Sequence, residues 1–384
     1  VCHILFFQNS IYKEKVIMRN ANKKLISSSL CLLFIVILFA NVLKISYGDN
    51  VFLKQSGDLG LLYKLIFWVL CGFYILIGSI AFSLNVRAIF LFSLLLLMIV
   101  SIYFNINNFI FWLVLIFWGV SSNVLSNARF KLLYLFLISL IIVVFFTTSL
   151  WNNGSFFYDV RYGMIATFGF ENPNSFPQLL VILYLLLASS IFRAFFCSVA
   201  FFSLALIFTT IHTRSFYLLI LIFPFIFLFL KFSGKINKLA VLYPTLLIVV
   251  TLFVTYNAGE FSYLNKLLSG RLYFSSLAIA DMDSVQKIIF GMPGMSDVDY
   301  PLDVSYVSVY HNHGLFGILL ILFLYTKSII ELQKHKNIKG LAIIIGFLSY
   351  AVVENVLINL TLNFSLYYIF MSISKKRTQT ELFK

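Results

Sequence analysis

From Ile26 almost to the C-terminus, long apolar runs alternate with short polar breaks. Runs of about 18 residues or more are long enough, as helices, to cross a hydrocarbon core about 30 Å thick. Spans are expected near 26–47, 60–83, 86–104, 108–126, 131–150, 177–192, 194–211, 215–231, 240–257, 312–330, 340–360 and 362–374. The runs lack the period-two alternation of a membrane barrel strand, so each is expected to satisfy its own backbone as an α-helix. The expected fold class is all-α, a polytopic integral membrane protein of about twelve transmembrane helices. Without internal repeat, heptad or low-complexity segment, residues 1–384 are expected to form a single domain.

Two breaks are long enough to carry chemistry, 151–176 and 258–311. The first contains "RYGMIATFGFENPNSFPQLL", where an arginine, a glutamate and two asparagines flank a proline. In "GFENPN" the proline biases its neighbour away from helix and the asparagines favour turns, which predicts a structured loop re-entering the apolar edge. The second contains the turn "FGMPGM" and then "DVDYPLDVSYVSVYHNHGLFG". There Asp303, Ser305 and Tyr306 precede a helix whose Gly314 and Gly317 permit close packing.

Composition strengthens this picture: 61% of residues are hydrophobic, 45 are phenylalanine and 11% are charged. The net charge of +14 does not point to nucleic acid, because the basic residues gather at the ends of apolar runs and not on one face. They read as topology signals. With both termini cytoplasmic, Lys13, Lys15, Arg19, Lys23, Lys24, Arg87, Arg129, Lys131, Arg193, Lys231, Lys334 and Lys339 fall inside, while Asp49, Asp159, Glu171, Glu260, Asp281 and Asp303 fall outside. The two long loops are then extracytoplasmic. Cysteines 2, 31, 71 and 197 are scattered and predict neither disulfide nor metal site. The stretch "VIMRNANKKLISSSL" reads as a natural start at Met18, leaving residues 1–17 either as an upstream extension or as part of the protein. No Walker motif, dinucleotide fingerprint or HExxH site occurs, which removes ATP-driven, nicotinamide and zincin chemistry.

Three arginines break the inside-positive pattern: Arg161, Arg214 in "TTIHTRSF" and Arg271 in "SGRLYF". Salt bridges to loop acids would account for them. Their planar forks also bind phosphate oxygens in pairs, so several converging on one site suit a pyrophosphate. Glu354 lies in an apolar run with Asn355, Asn359 and Asn363, where a carboxylate is costly unless paired, and an arginine is its natural partner. His212 stands near Arg214 as a candidate acid or base. His311 and His313 lack a third ligand at suitable spacing, so no metal and no cofactor are expected.

The ordered set "RYG", "GFENPNSF", "TRS", "SGRL", "FGMPG", "DVSY" and "GLFG", carried by residues 151–363, resembles the O-antigen polymerase (Wzy) family. The resemblance implies a GT-C-like membrane glycosyltransferase that moves a growing glycan from undecaprenyl pyrophosphate onto a new lipid-linked repeat unit at the periplasmic face of the inner membrane. It implies Arg161, Arg214 and Arg271 as phosphate-binding positions and Asn172, Asn174 and Tyr306 as polar substrate contacts. Its implied partners are the lipid-linked oligosaccharide, the bilayer and a polysaccharide chain-length regulator. Two features depart from the family: Asn172 stands before the motif proline where relatives often carry histidine, and Arg161 and Arg271 lack an arginine-x10-glycine spacing.

For an acceptor hydroxyl, the candidate bases are Asp303, then Glu171 and Glu354. Asp303 is preferred because Ser305 and Tyr306 are placed to position it, whereas Glu171 could serve only to hold Arg161. The rival readings are an O-antigen ligase, whose relatives place histidine at the Asp303 position, and a flippase or other transporter. The transporter would need several intramembrane charges along a central path.

Overall fold

The computed structural model describes residues 26–42, 57–81, 107–151, 156–159, 163–168, 170, 173–188, 190–207, 213–232, 239–292 and 301–373. These contain the helices α1 (Ile26–Val42), α2 (Gly57–Ala81), α3 (Asn107–Val124), α4 (Asn127–Trp151), α5 (Ser175–Leu187), α6 (Ile191–Ile207), α7 (Arg214–Phe232) and α8 (Tyr243–Tyr256). They continue with α9 (Ser262–Leu267), α10 (Arg271–Ala280), α11 (Val285–Phe290), α12 (Ser305–Lys334), α13 (Ile338–Ala351) and α14 (Ser365–Ile373). A hairpin of β1 (Phe156–Asp159) and β2 (Gly163–Ala166) joins α4 to α5, in antiparallel register Phe156↔Ala166 to Asp159↔Gly163.

This is not the expected twelve-span architecture. Among the described residues, four segments are long and apolar enough to cross a membrane: Asn127–Phe145, Arg214–Phe232, Leu239–Tyr256 and Ser305–Lys334. The expected span 86–104 lies outside the described residues. Several of the other apolar runs are cut short. The thirteen residues of α5 and the fourteen of α13 rise only about 20 Å, short of a hydrocarbon core of about 30 Å. The stretch expected to hold spans 340–360 and 362–374 instead holds α13, a non-helical segment and the nine-residue α14. The supposed outer loop 258–311 carries α9, α10, α11 and the first turns of α12.

The break after Ala351 has a chemical cause. Asparagine and threonine side chains compete with helical hydrogen bonding by bonding nearby backbone. Asn359 Oδ1 accepts from the Thr361 and Leu362 amides at 2.9 and 3.0 Å, and Asn363 Nδ2 donates to the Leu357 carbonyl at 2.6 Å. Carbonyls released from the helix are taken by other elements: Trp118 Nε1 donates to Leu360 at 3.1 Å, and the Tyr134 hydroxyl donates to Thr361. The polar residues of this run thus tie a loop into the core.

One hydrophobic core runs through most of these elements. On one side α1, α3, α4 and α14 interlock through rings: Phe34 stacks on Phe117 at 5.7 Å, and Phe130 stacks on Tyr367 at 3.6 Å. On the other, α7 packs on α13, where a Cβ at Gly346 would come within 2.6 Å of the Phe223 ring. Pro224 interrupts α7 and cannot donate to the Ile220 carbonyl one turn back. Ser198 Oγ of α6 donates to that carbonyl at 2.8 Å, so the broken bond becomes an interhelical one. Gly291 and Gly314, both with positive φ, let the end of α11 touch the α12 backbone, where added Cβ atoms would lie within 2.4 Å of main-chain atoms.

The inferred topology falls with the span count, because assigning loops to alternate sides has no basis unless each run crosses. A multi-pass inner-membrane placement with a periplasmic site is therefore overturned, as is the GT-C-like arrangement with two large outer loops.

Candidate functional site

The polar residues of five segments meet at one place. Ser269 and Gly270 both take left-handed backbone, with φ of 59° and 85°, and this sharp turn starts α10 at Arg271. The segment after α13 delivers Glu354, the start of α7 delivers Ser215, α5 delivers Gln178, and the residues before α12 deliver Asp303.

Glu354 is 1% exposed and fully engaged. Its Oε1 accepts from Ser215 Oγ at 2.7 Å and Arg271 Nη1 at 2.9 Å, and its Oε2 accepts from Gln178 Nε2 at 2.9 Å. A buried carboxylate is tolerable only with such compensation. Arg271 Nη1 also donates to the Val353 carbonyl, and Arg271 Nε lies 3.3 Å from Asp303 Oδ2. Burial works against the guanidinium charge, but Glu354 and then Asp303 outweigh it and raise the arginine's pKa further. Ser305 fixes the backbone beneath: its Oγ donates to the Glu354 carbonyl at 2.5 Å and accepts from the Val356 and Leu357 amides at 2.8 and 3.3 Å. That uses its one proton and both lone pairs.

The two carboxylates on this arginine differ. Asp303 is 28% exposed and its contact with Arg271 is a single one, through Oδ2. The Tyr350 hydroxyl, buried beside Ser215, lies in the field of Glu354 and Arg271. Burial, with the Glu354 charge adding, pushes its pKa well up, so it keeps its proton. The arrangement supplies a fixed cation, a saturated carboxylate, an accessible carboxylate and a phenolic proton.

Of the residues singled out in the sequence, Arg271, Asp303 and Glu354 come together here. Arg214 is exposed and donates from Nη1 to the Leu267 carbonyl at 2.9 Å. Asn174 accepts from Thr213 Oγ1 at 3.4 Å, and Tyr306 is buried with its hydroxyl donating to the Leu348 carbonyl at 3.0 Å. Arg161, Glu171, Asn172 and His212 lie outside the described residues. Sequence reasoning missed Gln178 and Ser215. Gln178 is the one amide within the run "SFPQLLVILYLLL", and Ser215 adjoins Arg214, so both carried a signal.

No protein-family model matches the chain, and neither does any characterised protein or solved structure. The resemblance to the O-antigen polymerase family is therefore corrected on two grounds. No comparison supports it, and the polymerase mechanism needs a twelve-span frame with two large outer loops, where the described residues hold four spanning-length helices and place α9, α10 and α11 within 258–292. The ligase and flippase alternatives assumed the same polytopic frame and lapse with it.

Proposed function

We propose that the chain is an enzyme that transfers a group to a hydroxyl of an amphiphilic substrate, with Asp303 as the general base. The observation behind this reading is the inequality of the two carboxylates around Arg271. Glu354 is spent on holding the guanidinium, while Asp303 shares the same cation yet is partly exposed. Environments that split the roles of paired carboxyl groups are a feature of acid–base sites. In this reading Asp303 takes the proton of the attacking hydroxyl as its oxygen bonds to the transferred group, the bond from that group to its donor breaks and the donor fragment leaves with the electron pair, and Arg271 holds the Asp303 carboxylate in position.

The amphiphilic character follows from the rim. Tyr256, Tyr263, Leu267 and Tyr273 are exposed on the elements leading into Arg271, and Arg214 is tethered to Leu267. A charged cluster with exposed aromatic and aliphatic side chains on the neighbouring helices suits a molecule with a hydroxylated head and an apolar tail.

The test is incubation of the purified chain with alkyl glycosides and glycerolipids plus activated sugar or acyl donors, with products followed by mass spectrometry. Asp303→Asn should leave the thermal unfolding midpoint nearly unchanged and lower turnover by roughly 10²–10⁴-fold. Turnover equal to that of the unsubstituted protein would remove Asp303 from the chemistry.

A further inference from the structure

A cavity separate from the carboxylate cluster lies between α1, α2, α3 and the segment after α13. Its volume is ≈ 200 Å³. Phe67, Cys71, Val114 and Phe117 form its buried wall, and Asn41 and Asn359 stand at its edge. The two amides are held in place. Asn41 Nδ2 donates to Thr361 Oγ1 at 2.9 Å, while Asn359 Oδ1 accepts from the Thr361 and Leu362 amides. Those bonds leave the Asn41 carbonyl oxygen and the Asn359 amino group with no partner among the described residues, one acceptor and one donor beside an apolar wall.

An apolar cavity of about 150 Å³ in another protein is large enough to take up benzene. This one is somewhat larger and carries two fixed polar groups. We propose that it binds a small apolar ring or short chain bearing one hydroxyl, a molecule of the size of a phenol or a short alkanol. The hydroxyl donates to Asn41 Oδ1 and accepts from Asn359 Nδ2, and the ring or chain fills the space against Phe67, Val114 and Phe117. The cavity wall includes Ile358–Leu360, part of the same non-helical segment as Glu354. A bound molecule therefore braces the backbone that positions the ion pair, which gives the cavity the character of an effector site. This inference stands independently of the transferase reading.

The experiment uses 4-fluorophenol as the probe on the full chain, observed by fluorine NMR. Saturable binding is expected, with fluorobenzene weaker by roughly tenfold for want of the hydroxyl. Cys71→Phe, which fills the cavity, should abolish saturable binding; Val114→Phe serves the same end if the first variant does not fold. In the unsubstituted chain, modification of Cys71 by a small methanethiosulfonate, followed by peptide mass spectrometry, should slow several-fold at saturating probe. Absence of saturable binding, binding that survives a folded cavity-filling variant, or Cys71 modification at an unchanged rate would each overturn the proposal.

Discussion

Helices α13 and α6 are alike in apolar content and opposite in use. In α13 every residue but Ile338, Lys339 and Ser349 is buried, and in α14 Ser365 through Met371 are all buried. In α6 and its neighbour α7, by contrast, Phe192, Phe196, Val199, Leu218, Phe225 and Phe229 are exposed. Apolar content does not separate them; chain geometry and polar anchoring do. The α13–α14 region contains Gly346, which admits Phe223 of α7, and a polar connector whose carbonyls accept from side chains of α3 and α4 and whose asparagines bond its own backbone. Phenylalanines line α6 and α7 on both faces, and only one face can meet a partner helix. Hydropathy therefore says which residues avoid water but not what they pack against. Of the four spanning-length helices among the described residues, none has more than 50% of its window buried, so length and apolar content do not by themselves place a helix in the core.

The comparison would break most sharply at Arg271, which ties the packed region to α10. Arg271→Leu leaves Glu354 buried with its main charge partner gone, and loss of one member of a buried pair costs about 3–5 kcal/mol. Chemical denaturation should show a loss of that size. Glu354→Gln should cost less, because it removes the buried charge together with the pairing and keeps the Ser215 and Gln178 contacts within reach. Equal stability of Arg271→Leu and the unsubstituted chain would mean that the ion pair does not anchor the packed region.

Helix existence was legible in the apolar runs, and the need of Glu354 for a cation inside one of them leads to Arg271 at 2.9 Å. Helix length was not legible. In "ENVLINLTLNFS" the polar residues recur every few positions, and hydropathy averages them away although Asn359 and Asn363 bond nearby backbone where the helix has ended. Nor does hydropathy reveal that α9, α10 and α11 lie where a long loop was expected, since these helices are only six, ten and six residues long. Half of the site was visible as residue types. Ser215 and Gln178 were hidden because their roles exist only when α5 and α7 converge on Glu354 from distant parts of the chain.

A smaller effect is expected where the two regions touch. Gly346→Val places a branched side chain against the Phe223 ring, where even a Cβ would meet ring carbons at 2.6 and 2.7 Å. Phe223 must then turn or α7 must move off α13, and overpacking of this kind costs about 1–3 kcal/mol. A second-site Phe223→Leu should recover part of the loss by vacating the ring's space. Without such recovery in a denaturation series, the contact between α7 and α13 is not the seam joining the exposed and packed regions.

The smallest effect belongs to the exposed side. Phe196 on α6 is 75% exposed, and exposed positions away from special features change stability by about 0.5 kcal/mol or less. Phe196→Ser should therefore unfold at nearly the same denaturant midpoint as the unsubstituted chain. Its effect should appear in association instead, because Phe192, Phe196, Phe225 and Phe229 belong to two adjacent helices and a broad exposed apolar surface promotes binding to other apolar surfaces. Sedimentation velocity should show less self-association for the serine variant, and less again for Phe196→Ser combined with Phe225→Ser. A loss of about 1.5–3 kcal/mol on Phe196→Ser would instead equal the burial of a whole phenylalanine. That result would show this face covered in the folded chain, and the contrast between α6 and α13 would vanish.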